Sequence, residues 1–485
     1  MRGFLWTTLA WGSNRLIILL LTLVLARLLT PEDFGLVTAA LTIITMFDAA
    51  LDLGVGASVV ANQERGISFR TRTAFTLNVG ISVGIAAIGV ALSPFIAALF
   101  DSREHAGLFA LIFLYPLFRG AGQVNDAVLK RDLRFRRRTV IDLLRAATRV
   151  GVSIPLALTV GGPISIAAGI LVSEFVAMIV LWSLVPITPA LRLRRKDVTG
   201  LLSFGGQVTV IRVLGSFRGA FDYLVVGAMI STTALGIYGM AYKLPELIIE
   251  NVLWIFSAVA LPTYARARAV GHEVMLRAML RAIRLLSLYG LAAGVALAVV
   301  ARDAVPVLFS EQWADAVVPM MLISVSLGVM AIAWASGDVF SAMGRPGTLI
   351  LLDLPASALM AVAFLFSTQY GLVAVAAVHL VFNVLYCAAR MIMVVRVTGV
   401  SARSLLMAVL PGLLVAATTA TAGFSVSALL PSGELGSLVL VSAVCGAVVV
   451  GASLLFARPA VTDAFDAIGS RRRRTDADQA APEPA

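Results

Sequence analysis

Charged side chains stand inside stretches of this chain that are otherwise apolar. Six basic residues lie well within such stretches: Arg15, Arg119, Arg149, Arg212, Arg218 and Lys243. Carboxylates accompany them, namely Asp48 and Asp52, Asp142, Glu174, Asp222, and Glu246 with Glu250. A charge at the centre of a membrane helix costs roughly 2.5–3.5 kcal/mol on insertion scales, so such groups face a watery cavity or a partner. Two chemistries follow. Cations lining a wet cleft bind an anion, and desolvated carboxylates carry protons or ions.

Helical spacing sorts these residues. Asp142, Arg145 and Arg149 share one stripe, Arg218 and Asp222 stand at i,i+4, and Tyr242, Glu246 and Glu250 form a further stripe with Lys243 beside it. Internal ion pairs that fix helix packing are the alternative for Arg218–Asp222 and for Asp142–Arg145. Arg15, Arg119 and Arg149 have fewer acids within one turn, which leaves their charge available to an outside anion. Asp48 and Glu174 are mid-segment carboxylates that either carry protons or pair with those arginines; Glu246 and Glu250 are the other coupling candidates. Arg27 and Arg390 stand near segment ends, where long side chains snorkel to the interface. His379 and Asn383, at i,i+4, read as a helix–helix hydrogen bond more readily than as part of a polar cavity.

No other chemistry is marked. His105, His272 and His379 are scattered, and Cys387 and Cys445 sit in apolar runs with no ligand spacing, so no metal site is expected. No phosphate-binding loop occurs, and the sequence implies no cofactor, no catalytic residues and no nucleic-acid partner.

The elements that must position these residues follow from composition. Of 485 residues, 60% are hydrophobic and 13% charged, which excludes a soluble enzyme, a nucleic-acid-binding domain and a disordered chain. Apolar runs of spanning length lie near 5–29, 36–60, 74–100, 107–129, 139–160, 164–187, 203–229, 234–261, 285–309, 316–342, 348–368, 372–395, 404–429 and 436–456. Such runs are too long for barrel strands, so the fold class is all-α: a polytopic membrane protein of about fourteen transmembrane helices. Alternate connections test the count. The set that includes the N-terminus holds 27 basic residues, and the opposite set holds only Arg103 and Arg302. That asymmetry supports an even number of spans with both termini cytoplasmic. The opposite-side connections are too short for an extracytoplasmic catalytic domain. Residues 263–284, with Arg277, Arg281 and Arg284 on one face, read as an amphipathic surface helix against membrane lipid.

One weak internal echo sets Ala26–Val37 against Gly227–Tyr238, offset by 201 residues, at the turns between spans one and two and between seven and eight. A second sets Asp126 and Arg131 beside Asp338 and Arg345. Six spans per repeat is an even number, so two pseudo-symmetric six-helix lobes would face the same way. The expected organisation is an N-lobe at 1–188, a cytoplasmic linker at 189–202, a C-lobe at 203–396, two extra spans at 397–456, and a basic then disordered tail at 457–485. Seven prolines fall within spans. Pro116 near Arg119 and Pro245 near Glu246 are the kinks placed beside charge.

LARLLTPEDFGLVTAALTI (25–43), DLGVGASVVANQE (52–64), LKRDLRFRRRTVIDLLRA (129–146), FDYLVVGAMISTTALGIYGMAYKLPEL (221–247), ALPTYARAR (260–268) and EQWADAVVPMMLISVSLG (311–328) carry a family likeness. The chain resembles the polysaccharide transporter family, the Wzx-type lipid-linked oligosaccharide flippases of the multidrug/oligosaccharidyl-lipid/polysaccharide exporter superfamily. The resemblance implies a flippase that moves an undecaprenyl-diphosphate-linked oligosaccharide across a bacterial plasma membrane by alternating access, with ion or proton coupling as an open option. It implies basic lumen residues, a role carried here to Arg15, Arg119 and Arg149, and a polysaccharide polymerase and chain-length or export machinery as partners. A drug/cation antiporter of the same superfamily and a membrane glycosyltransferase or polymerase are the alternatives.

Overall fold

A computed structural model describes residues 2–52, 67–190, 215–345 and 347–457, without the side chains of 2–11, 13, 47–52 and 70. Arg212, the Asp48 side chain, most of the linker and the tail beyond 457 therefore lie outside the described residues. All regular structure among the described residues is helical. Helices stand at all fourteen expected positions: α1 (Arg2–Leu28), α2 (Pro31–Asp52), α3 (Phe69–Leu99), α4 (Tyr115–Arg131), α5 (Phe135–Thr159), α6 (Gly162–Leu184), α7 (215–229), α8 (Thr232–Val270), α9 (His272–Ala304), α10 (Val317–Ala342), α11 (Gly347–Ser367), α12 (Leu372–Thr398), α13 (Ala402–Leu429) and α14 (Leu435–Phe456). Ten helical segments among the described residues are long and apolar enough to cross a membrane.

The interruptions have local causes. Pro116 sits in the first turn of α4, where its missing N–H is tolerated, so the fourth span starts as a separate short helix, Ala106–Ile112, and restarts at Tyr115. In α8 the chain widens into a π turn at Glu246–Glu250, directly after Pro245. The stretch 263–284 is not one surface helix. Gly271 divides it, residues before the glycine ending α8 and those after it opening the 33-residue α9.

The chain forms two compact units. One unit is Met1–Met240 with Phe364–Leu372; the other is Ala241–Ala363 with Val373–Ala485. In the first, Ala74, Phe75, Val124, Val128, Ile141, Ala177 and Leu181 bring α3, α4, α5 and α6 into one core. Polar groups brace it. Asn78 Nδ2 donates to Gly120 O at 2.6 Å, Asn125 Nδ2 to Val185 O at 2.8 Å, and Trp182 Nε1 to Ala121 O at 2.9 Å, the kind of inter-helix bond that glues membrane bundles.

The internal echo has a structural counterpart within this first unit. Thr30 and Asp33 form a reciprocal capping box at the start of α2: the Asp33 N–H donates to the Thr30 hydroxyl at 3.2 Å, and Asp33 Oδ2 accepts from the Thr30 N–H at 2.9 Å. Ser231, 201 residues on from Thr30, caps α8 by accepting from the Ala234 N–H at 3.0 Å. The two turns also touch. A Cβ on Gly35 would fall 1.7 Å from Thr232 O, and one on Gly236 would fall 1.9 Å from Pro31 O. Gly236 is the counterpart of Gly35, and Thr232 of Pro31. Thr38 Cγ2 and a Cβ on Gly239, another equivalent pair, would lie 3.7 Å apart. Each copy thus presents the same surface to the other, and a local two-fold passes between α2 and the start of α8.

Candidate functional site

The charges of the first unit gather on α4, α5 and α6. Residues 138, 142, 145 and 149 recur on α5 at spacings of four, three and four, so one face of the helix carries Arg138, Asp142, Arg145 and Arg149 over roughly 16 Å of rise. Asp126, in α4, meets this face at its lower end. It pairs with Lys130 at 2.7 Å and with Arg138 at 3.0 Å. One turn along, Arg145 Nη1 reaches Asp142 Oδ1 at 3.0 Å.

Glu174 of α6 is the hub above them. Its side chain is only 4% exposed, and Oε1 lies 3.1 Å from Arg145 Nε and 3.6 Å from Arg119 Nη1. The Arg145 contact is a charge contact without an aligned hydrogen bond. Arg149 adds a third positive charge within electrostatic reach of Glu174, Arg145 and Arg119. Arg119 keeps 41% of its side chain exposed. Among the described residues the group holds five basic residues (Arg119, Lys130, Arg138, Arg145, Arg149) and three acids (Asp126, Asp142, Glu174), a formal surplus of two positive charges. Four guanidiniums and one ammonium with that surplus can bind an anionic group, and Arg does so best with phosphate oxygens, through planar paired donors.

The profile of a family described as polysaccharide biosynthesis protein matches residues 24–318, from the end of α1 into α10. The chain belongs to that family. Among curated relatives, the lipopolysaccharide biosynthesis protein WzxC of Escherichia coli (strain K12) is 22% identical over 311 residues, 63% of this chain and 62% of WzxC. The match thus spans somewhat less than two thirds of WzxC. The teichuronic acid biosynthesis protein TuaB of Bacillus subtilis (strain 168) is 22% identical over 394 residues, 79% of this chain and 80% of TuaB. Among solved structures, the lipid II flippase MurJ in an inward closed conformation superposes with a TM-score of 0.76 at 12% identity, over 94% of this chain and 99% of MurJ. An inward-facing multidrug resistance MATE transporter of the MOP superfamily gives 0.66 at 16% identity, over 80% and 95%. The chain therefore has the polytopic all-α fold of these transporters and is a multi-pass membrane protein.

Of the residues singled out in the sequence, the structure brings Arg119, Arg149 and Glu174 together. Arg15 is half-buried on α1, and Arg218 is exposed on α7, one turn from Asp222, which accepts from the Tyr238 hydroxyl at 3.0 Å. Lys243, Glu246 and Glu250 belong to the second unit. There Lys243 is exposed, and Glu250 Oε1 accepts from Trp254 Nε1 at 3.3 Å. His379 bonds the Tyr242 hydroxyl at 2.6 Å, and Asn383 donates to Ser326 at 2.8 Å, both as helix–helix bonds.

Arg138 stands just before the expected span at 139–160, yet it opens the α5 ladder; its spacing of four from Asp142 is the signal in the sequence. Arg390 does not snorkel. Its Nε donates to Ser336 Oγ at 2.7 Å and its Nη1 to the Tyr386 hydroxyl at 2.6 Å, inside the second unit.

Proposed function

We propose that this protein moves an undecaprenyl-diphosphate-linked oligosaccharide across the bacterial plasma membrane, as a transporter and not an enzyme. The reading rests on one observation, the net-cationic ladder of α4–α6 within a membrane bundle. A diphosphate-sugar headgroup cannot cross hydrocarbon unaided, and the surplus of two positive charges offsets the charge of a diphosphate without immobilising it, since Asp142 and Glu174 compete for the same guanidiniums. The names of WzxC and TuaB, which concern lipopolysaccharide and teichuronic acid biosynthesis, support a saccharide cargo. Carboxylates do not dominate the ladder, which counts against a drug/cation antiporter. Exchange of the guanidiniums between Glu174 and the cargo supplies a route to coupling, with Asp48, Glu246 and Glu250 as further carriers. Polymerase and export machinery would receive the cargo.

Arg149→Ala is expected to lower surface polysaccharide more than tenfold in a strain dependent on this chain, with membrane-inserted protein unchanged by immunoblot. Undiminished polysaccharide would remove Arg149 from the cargo path and with it the carrying observation.

The same reading places both termini in the cytoplasm, because 27 basic residues collect on one side. Cys387 and Cys445 are both buried, which keeps background labelling low. An impermeant thiol reagent added to intact spheroplasts is expected to label Arg103→Cys and to spare Arg345→Cys; the reverse pattern would invert the topology.

A further inference from the structure

The second unit holds a different assembly of polar side chains, where α8, α10, α11 and α12 meet. Trp334 Nε1 donates to Ser257 Oγ at 2.8 Å, and Ser257 in turn donates to Asp338 Oδ2 at 2.8 Å. Trp254 stands edge-on to Trp334, with ring centroids 5.3 Å apart. Arg390 lies within electrostatic reach of Asp338 and donates to Tyr386, whose hydroxyl donates to Asp353. Nothing in the α4–α6 ladder uses these residues.

The chemistry is unlike that ladder. Among the described residues of the assembly, three are acids (Asp338, Asp353 and Glu250) and one is basic (Arg390), the reverse of the ladder's balance. Its acids are also dispersed: no group of three or more among the described residues could hold a metal ion. What remains is an edge-on indole pair beside fixed donors and acceptors. Among the described residues, Asp338 Oδ1 and Arg390 Nη2 have no hydrogen-bond partner. Gly337 keeps the second of these clear, since a Cβ there would fall 2.9 Å from Arg390 Nη2.

An ordinary boundary tryptophan would point its N–H toward lipid headgroups. Here both indole N–H groups are turned onto protein acceptors, Ser257 and Glu250, while Trp254 remains 59% exposed. A carboxylate and a guanidinium with open valences do not face hydrocarbon, so this surface looks onto water. Indole faces over apolar C–H groups, with a carboxylate and a guanidinium at the ring edge for hydroxyls, is the complement of a sugar ring. Asp338 lies one turn from the end of α10, and Asp353 fewer than two turns from the start of α11. Both are thus near the side that carries the basic connections, where a cytoplasmic headgroup would enter.

We propose that Trp254, Trp334, Asp338 and Arg390 form a subsite for an uncharged sugar ring of the cargo. The proposal rests on the flippase reading above. Within the second unit, the indole pair and its flanking carboxylate and guanidinium supply the contacts for that ring.

The test uses the full chain in lipid nanodiscs and two probes, bare undecaprenyl diphosphate and the undecaprenyl-diphosphate saccharide that accumulates in a strain lacking this chain. The wild type is expected to bind the saccharide form roughly tenfold more tightly than the bare carrier, the scale of one aromatic contact. Trp254→Ala and Asp338→Asn should erase that preference and leave bare-carrier affinity unchanged, while Trp254→Phe retains part of it. The exposed position of Trp254 spares the core in its variants, and Asp338→Asn preserves side-chain shape. Arg149→Ala should weaken both probes alike. If both subsite variants keep the saccharide preference, or weaken both probes equally as a coupling-ion site would, the sugar subsite is wrong while the diphosphate reading stands. If the wild type binds neither probe, the flippase reading fails and the subsite with it.

Discussion

Glu174→Ala is expected to destabilise the folded protein by about 3–5 kcal/mol, the range found when one member of a buried ion pair is removed. The cause is specific. Glu174 is almost wholly buried and serves Arg119 and Arg145 together; its loss leaves Asp142 as the remaining acid of that turn beside three guanidiniums. Glu174→Gln should be milder, because the amide keeps the shape and one acceptor while losing the charge. Pairing Glu174→Leu with Arg145→Met should recover much of the loss, since apolar replacement of a whole buried pair is often neutral. Thermal unfolding of the four proteins in one detergent measures this. A Glu174→Ala midpoint equal to wild type would show that the carboxylate is not the hub of the cluster.

Leucine at Gly35 or at Gly236 is the second large effect. The obstructing atoms, Thr232 O and Pro31 O, belong to the backbone, so no rotamer change relieves the clash and α2 must separate from the start of α8. Overpacking of this kind costs about 1–3 kcal/mol. Because the contact is reciprocal, the two single variants should lose similar stability. The double variant should lose less than their sum by at least about 0.5 kcal/mol, since one wedge already opens the interface the other would strain. Additive losses in denaturation midpoints would show that the two glycines do not share a contact.

The fold was largely legible because its signal is long and repetitive. Runs of twenty or more apolar residues leave little choice beyond a helix, and the uneven basic residues fixed their number. Helix interruptions were harder to place. Pro116 was visible, but whether it kinks a helix or starts one depends on which N–H groups the neighbouring turn can spare. The face of Arg277, Arg281 and Arg284 lies wholly after Gly271, and only the backbone turn there reveals two helices instead of one.

The site was legible in part. The α5 stripe could be read from spacing alone, since i,i+3 and i,i+4 neighbours lie on one face whatever surrounds the helix. That Glu174 closes onto it could not, because α5 and α6 are brought together by tertiary packing. Arg390 illustrates the same limit: distance from a helix end suggested snorkelling, whereas Ser336 and Tyr386, invisible as partners in one dimension, hold it inward. The Trp254–Trp334 pair, eighty residues apart, left no trace in local pattern.

The mutual seating of the Thr30–Thr38 and Ser231–Gly239 turns bears on ancestry. A contact in which each copy offers the same face to the other is the contact two identical molecules make in a closed dimer. A forebear with only six crossings, carrying a single capped turn and a single glycine, would already have possessed this interface by self-association. Fusion of two genes would then have added a tether, not a new fit.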